Sequence, residues 1–412
     1  MKLLVGIDVS SKTLEVVMMT SEALKPVFQG AFENDLNGAT ELKTIILALN
    51  EQRHFDQITI GMESTSIYSF HPAYFFMNDD DLAQFNTEAV VLNPRDTKRY
   101  KDVFEDNKND HVDALYIADY LRNGRFTTSL IREDEYIALQ RLTRSRFELV
   151  TSLARSKQHF LENLYYKVNK LAVNSSGEKV AVFGSSIFNL LTDEMTTDEL
   201  INASTEDLID YLNAAGHGRF ADAEKTAKAI QRAVRGSYRL PKVIQNSIDI
   251  NVSIYATEIR TYQKLIKELD KQIEAVVTVL PETEILQSVP GVGPVYSAGI
   301  LAEIGQIERF DKETQLARYA GLAWKQNQSG DFNGQITPRT HTGNKYLRYY
   351  LIEAAGSVTR YDPVFRAYFE KKMSEVTKTP RKRGLALTAR KLVRVLDVLL
   401  RRHQLYQKEE SV

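Results

Sequence analysis

Four carboxylates stand where they could act together. Asp8 closes an apolar run in the segment GIDVSSK, Glu63 closes another in GMEST, and Asp110 and Asp113 lie three residues apart in NDHVDALYIADY. On a helix that spacing puts both on one face. Neighbouring carboxylates repel one another unless a cation lies between them, and hard oxygen donors of this kind suit Mg2+. Four of them could hold two such ions, with water and phosphate oxygens completing the coordination. A pair of ions held in this way activates the attacking oxygen and stabilises the leaving one in phosphodiester displacement. Each residue also has a plainer use: Asp8 in a turn, Glu63 as a cap on the Ser-Thr turn, Asp110 as an N-cap with Asp113 charging the first helical turn.

Other chemistries lack their residues. The 412-residue chain has no cysteine, which removes disulfides, thiolate zinc sites, iron–sulfur clusters and cysteine nucleophiles. Its seven histidines are scattered without HExxH or HxH spacing, so a zinc hydrolase is not expected. Glycine-rich nucleotide loops are also missing, which argues against ATP-driven chemistry. The formal net charge of −1 hides an asymmetry. Residues 1–120 carry 10 Lys and Arg against 20 Asp and Glu, whereas residues 331–412 carry 17 against 8. An acidic part that gathers cations and a basic part that meets phosphates point to metal chemistry on a nucleic acid, although two domains attracting each other would carry the same pattern. No run of 18 apolar residues is present and Asp8 interrupts the N-terminal apolar stretch, so neither a membrane span nor a signal peptide is expected.

The elements that must position these groups can be read from periodicity. Strands are expected at Leu3–Val9, Leu14–Met19, Pro26–Phe32, Gln57–Met62 and Ala89–Leu92, with helices around Leu42–Leu49, Ser69–Met77 and Asn109–Tyr120. Three close strands followed by strands separated by helices predict a mixed sheet with helices packed on it. Beyond about residue 130 the pattern is helical. Leu142, Leu149, Leu153, Phe160, Leu164, Val168 and Leu171 share one face, while Tyr255, Ile259, Tyr262, Ile266, Leu269, Ile273 and Val276 alternate steps of four and three, a coiled-coil seam. An internal antiparallel pair or an oligomer contact would each account for that seam. Residues 172–242 between them read as short helices, with Ser204 and Thr196 as starts. The division is therefore 1–130, an α/β domain; 131–280, a helical coiled-coil linker with the insert 172–242; and 281–412, an all-α domain.

Basic residues supply candidate phosphate contacts. Arg95, Lys98, Arg99 and Lys101 follow Asn93-Pro94 at the expected sheet edge; Arg339, Lys345 and Arg348 lie in the C-terminal region; and Arg381, Lys382 and Arg383 belong to a basic loop, Lys378–Arg383. Tyr100, Tyr346, Tyr349 and Tyr350 among them offer rings for stacking on RNA. Ser288-Val-Pro-Gly-Val-Gly-Pro294 has a helix-hairpin-helix shape. Gly291 and Gly293 would let the backbone approach a phosphate, or would simply turn the chain between two helices.

The order GIDVSSK, MEST, VLNPRDTKRYK and NDHVDALYIADYL resembles the RuvC-like DEDD domain of insertion-sequence transposases of family one-ten. The stretch Ser288–Ala355 resembles that family's second, serine-bearing domain. The resemblance implies an RNase H-like fold for the N-terminal domain, with Asp8, Glu63, Asp110 and Asp113 matching the family's metal-binding acids and Ser329 its nucleophilic serine. It further implies Mg2+ as cofactor, double-stranded DNA as substrate, a structured noncoding guide RNA, a homo-oligomer with a composite site, and work in the cytoplasm at the nucleoid of a prokaryotic-type cell. Two rivals keep the same residues: a RuvC-like junction endonuclease that hydrolyses DNA without a covalent step, and a non-catalytic coiled-coil scaffold for nucleic acid.

Overall fold

The computed structural model describes residues 1–63, 67–92, 94–103, 110–124, 134–173, 180–217, 222–324, 328–329, 332–333 and 342–407. The chain divides into two compact units, residues 1–131 and 132–412. The first is a mixed α/β unit. Its elements are β1 (Lys2–Val9), β2 (Thr13–Thr20), β3 (Ala23–Glu33), α1 (Leu36–Arg53), β4 (Gln57–Glu63), α2 (Phe70–Met77), α3 (Asp80–Ala83), β5 (Thr87–Leu92), α4 (Pro94–Lys101) and α5 (Asp110–Arg122). The sheet order is β3-β2-β1-β4-β5, antiparallel through β3, β2 and β1 and parallel through β1, β4 and β5.

Side chains alternate across the strands, so each face has its own core. Leu3, Val5, Ile7, Leu14, Val16, Met18, Ile58, Ile60 and Met62 pack on one side with Leu42 and Ile46 of α1 and Ala73 and Phe76 of α2. Leu4, Met19, Val90 and Leu92 face the other way and meet Ile117, Ala118 and Leu121 of α5. Asp8 follows Leu4 and Gly6 on this second face, as Glu63 follows Gly61 on β4. The five expected strands are present; β3 begins earlier than its sequence pattern suggested, at Ala23. The basic segment after Asn93, read as a sheet edge, is instead the helix α4, because Pro94 at its first position has no amide to leave unsatisfied.

Among the described residues, the second unit is helical apart from one strand pair. It comprises α6 (Asp134–Lys167), α7 (Asn169–Ala172), α8 (Ser185–Asn189), a π-helical turn (Leu190–Glu194), α9 (Thr197–Asn202), α10 (Thr205–Gly216), α11 (Ala223–Arg235), α12 (Lys242–Val277), α13 (Glu282–Gln287), α14 (Pro294–Ile304), α15 (Glu313–Tyr319), β6 (Gln328–Ser329), β7 (Phe332–Asn333), α16 (Lys345–Tyr361), α17 (Pro363–Ser374) and α18 (Pro380–Arg402). The long helices α6 and α12 run along each other. At one end Phe160, Leu164, Ile248, Val252, Ala256 and Ile259 share a core with α7 to α11, so the segment 172–242 closes over the tip of this helix pair. Lys167, buried there, pairs with Asp249 at 2.9 Å and donates to the Leu191 carbonyl. At the other end Ile273 and Val277 are fully buried where α12 meets α14. Between the ends, Tyr262, Ile266 and Leu269 are only half-buried. An internal helix pair thus accounts for the two ends of the expected seam, and its middle keeps an apolar stripe partly open.

The turn between α13 and α14 has the expected hairpin shape. Gly291, at φ +95°, lies against α16, where a Cβ would come within 3.0 Å of Ser357, Val358 and Tyr361. The close approach that this glycine permits is therefore to the chain's own helix. Gly293 caps α14 with open space around it. The expected basic loop is partly a helix: Pro380 opens α18 and places Arg381, Lys382 and Arg383 in its exposed first turn.

Candidate active site

Asp8 and Glu63 end neighbouring parallel strands, one residue past the pair Ile7 and Met62. Adjacent strands lie about 4.8 Å apart, so the two carboxylates start from neighbouring backbone positions on one face. What carries the second pair of acids to them is α5. A Cβ on Gly6 would overlap Ala114 O and Ala118 N, and one on Gly61 would press Leu121, so the helix rests directly on β1 and β4 at these glycines. Leu4 shares a core with Ile117 and Leu121, Gly6 meets Ala114 and Ala118, and the next residue on that face is Asp8. Moving up the strand moves down the helix number, which brings the first turn of α5, with Asp110 and Asp113, over the strand ends. Asp110 opens that turn, and its side chain lies outside the described residues.

Electrostatics tie three groups together. Burial pushes the Glu63 carboxyl above the usual carboxylate range and the negative charge of Asp113 adds to it, while a hydrogen bond from Thr97 and the charge of Lys101 work the other way. The Lys101 ammonium pairs with Asp113, with side chains only 15% and 24% exposed. Helix α4, which supplies Thr97 and Lys101, is held on α5 by the Tyr100 hydroxyl, which donates to Asp119 at 2.7 Å and accepts from Asn123 at 2.8 Å. Among the described residues, no three His, Cys, Asp or Glu side chains are gathered closely enough to hold a metal ion. The donor set is nonetheless of the right kind: exclusively carboxylate oxygen, half-buried, and already drawing one cationic side chain.

Thr97 and Glu15 were missed by the sequence reading. Glu15 pairs with Asp8 across the β1–β2 ladder and so shares its face of the sheet. A carboxylate inside the apolar run LEVVMM is the signal that could have found it; for Thr97 the sequence offers none.

In the second unit, Ser329 ends β6 and faces Phe332 across the two-stranded antiparallel ladder β6–β7. Its side chain, Arg339 and residues 330–331 lie outside the described residues, as does the Arg95 side chain in α4. Lys98 and Arg99 are exposed on α4. Lys345 is exposed, with its ammonium over the rings of Phe147 and Tyr346. Arg348 has a different surrounding: its guanidinium lies against Gly321, where it would collide with any side chain. Arg144 and Arg146 on α6 are likewise engaged, with Glu303 and Asp270. Tyr350 is wholly buried and donates to the Thr143 carbonyl, whereas Tyr346 and Tyr349 both stack edge-on with Phe147. Among the described residues, no helix is long and apolar enough to cross a membrane.

Comparison with known proteins matches both parts of the chain. A family model for DEDD transposases of the IS110 type, described as a transposase, matches residues 5–166. A second, described as the transposase IS116/IS110/IS902 family, matches residues 283–370. The 44.8 kDa protein of insertion element IS116 from Streptomyces clavuligerus is 28% identical over 329 residues, 79% of each chain. The 42 kDa protein of insertion element IS900 from Mycobacterium paratuberculosis is 27% identical over 311 residues, 73% of each. The pilin gene-inverting protein of Moraxella bovis is 31% identical over 171 residues, 40% of this chain and 52% of that one.

Proposed function

The chain belongs to the IS110/IS116 family of transposases, and from that premise we propose that it cuts and rejoins DNA through a covalent serine–phosphate link. Two observations support this reading: Asp8 and Glu63 lie at neighbouring positions near the ends of β1 and β4, and the charge of Asp113, on the first turn of α5, acts on the Glu63 carboxyl. The mixed sheet is compatible with an RNase H-like domain spanning 1–130, followed by a helical linker over 131–280 and a serine-bearing part over 281–412.

In this reading Asp8, Glu63, Asp110 and Asp113 hold Mg2+. When bound, it neutralises charge on phosphate oxygens and lowers the pKa of a coordinated hydroxyl. The Ser329 hydroxyl attacks the scissile phosphorus, a serine–phosphate ester forms, and the deoxyribose oxygen leaves with a proton; the same hydroxyl, or one from another strand, reverses the step and reseals the DNA. Because the phosphate remains esterified throughout, no nucleotide cofactor is needed. Lys98, Arg99, Lys345, Arg381, Lys382 and Arg383 sit on exposed surfaces suited to phosphate, with Arg95 and Arg339 completing the basic set. A structured guide RNA would choose the sites, and a second copy of the chain, seated on the half-buried Tyr262–Leu269 stripe, would complete a homo-oligomer.

The test incubates the full chain with DNA carrying element ends in Mg2+ and looks for a protein–DNA adduct that survives denaturant. Wild type is expected to form it. Ser329→Ala should lose it while keeping DNA affinity, and Asp8→Asn, Glu63→Gln and Asp113→Asn should each lose it as well. Metal-dependent nicking without any adduct would replace this reading with the junction endonuclease.

A further inference from the structure

The segment that carries the Ser329 strand pair joins α15 to α16 in the chain, and the described residues at its two ends are held together as a neck. The Asn344 amide donates to the Tyr319 carbonyl at 2.6 Å, across 25 residues of sequence. Gly343, at φ +110°, is pressed so closely against Tyr319 and Gly321 that a Cβ would stand 2.6 Å from Gly321 N and 2.7 Å from Tyr319 O. No residue but glycine fits both the backbone angle and the gap. A Cβ on Gly321 would in turn meet the Arg348 guanidinium and the Thr342 carbonyl.

Beneath this neck lies a buried carboxylate that the proposed chemistry does not use. Glu303, on α14, is 0% exposed. Arg144 of α6 grips it with both prongs, Nε at 2.7 Å and Nη2 at 2.9 Å, and Gln140 adds a donor at 3.3 Å. Among the described residues, a further close donor is the side chain of Asn344, whose Nδ2 reaches Glu303 at 2.6 Å and the Tyr319 hydroxyl at 3.0 Å. The other end of the same amide, Oδ1, caps α16 by accepting from Tyr346 N at 2.9 Å and Leu347 N at 3.0 Å. A carboxylate taken wholly out of water is costly unless every oxygen is satisfied, so Glu303 fixes its partners as much as they fix it.

Resting on the reading of Ser329 as nucleophile, we infer that Asn344, anchored on Glu303 and Arg144, is a positioning residue for that serine: it clamps the neck of the Ser329-bearing segment and thereby sets where the hydroxyl can reach. It touches neither DNA nor metal in this role. Displacing a reacting group by about 1 Å costs on the order of 10²-fold in rate while leaving binding alone.

The diagnostic variant is Asn344→Asp. It keeps the acceptor that caps α16 but replaces the donor to Glu303 with a second carboxylate, so capping and clamping separate. In the full chain, three quantities are measured: DNA affinity, the single-turnover rate of adduct formation at saturating DNA, and hydrogen exchange of the amides of residues 319–322 and 342–345. Asn344→Asp and Asn344→Ala should lower the adduct rate by about 10- to 100-fold, leave affinity within about threefold, and speed exchange at the neck. Pairing Asn344→Asp with Glu303→Gln restores a donor facing an acceptor and should recover part of both the rate and the protection. An adduct rate unchanged in Asn344→Asp and Asn344→Ala, or rate and affinity falling together, overturns the assignment. Were wild type to form no adduct, the serine reading would fail by itself. Neck exchange would still decide the clamp: faster exchange in both Asn344 variants upholds it, and unaltered exchange removes it.

Discussion

At the residue scale the informative group is Glu63. A carboxyl raised by burial prefers to be neutral in the folded protein, so its contribution to stability is full below the unfolded value of about 4.3 and is lost as pH climbs through the higher folded value. Glu63→Gln removes that loss. In metal-free buffer the variant should therefore melt above wild type at pH 8, and the gap should close below pH 4. A Gln variant melting lower than wild type at pH 8 would mean that the Thr97 and Lys101 contacts outweigh the burial. The same scale separates basic residues that the sequence could only group together. Lys345 is exposed, whereas Arg348 is engaged against Gly321, so Arg348→Ala should destabilise the second unit in urea unfolding more than Lys345→Ala.

Between elements, glycine decides how close α5 comes. Gly6→Ala puts a methyl where Ala114 O and Ala118 N already are, so the helix must lift at a cost of about 1–3 kcal/mol. Lifting α5 also moves Asp110 and Asp113 away from Asp8. The variant should lose metal-dependent cleavage although every carboxylate is intact; retained cleavage in a destabilised protein would show that the acid cluster does not depend on this contact. The α6–α12 pair offers a second contrast along one helix. Ile259 and Ile273 are 1% and 0% exposed, and Asp at either should cost at least the 2–5 kcal/mol typical of an emptied core site. Ile266 and Leu269 are half-buried, so Asp at both should spare the fold and lower the mass seen by light scattering if a second copy covers them. An unaltered mass would leave the stripe to solvent.

Across the whole molecule the uneven charge has a measurable consequence. Each phosphate neutralised contributes about 0.9 to the slope of log affinity against log salt. Replacing Arg381, Lys382 and Arg383 together with Ala should therefore reduce that slope by about 2–3 if all three meet DNA, with Arg383 the weakest contributor because Glu375 stands 3.8 Å from it. A slope that does not change would move the DNA surface elsewhere on the chain.

The sequence determined a good deal by itself. Short apolar and β-branched runs bounded by polar or turn residues announced five strands, two of them closing on Asp8 and Glu63. Steps of three and four announced both long helices, and the order of short motifs announced the family. What it could not decide depended on contacts between residues far apart in the chain. The seam of α12 looks the same whether its partner is α6 or another copy. Gly6 reads as any strand glycine until Ala114 rests on it. Asn344 reads as an ordinary helix cap, since only the fold brings Glu303, 41 residues away, within 2.6 Å of its amide. Periodicity reports which face of an element is apolar; which partner covers that face, and which buried charge must be satisfied there, is settled by packing alone.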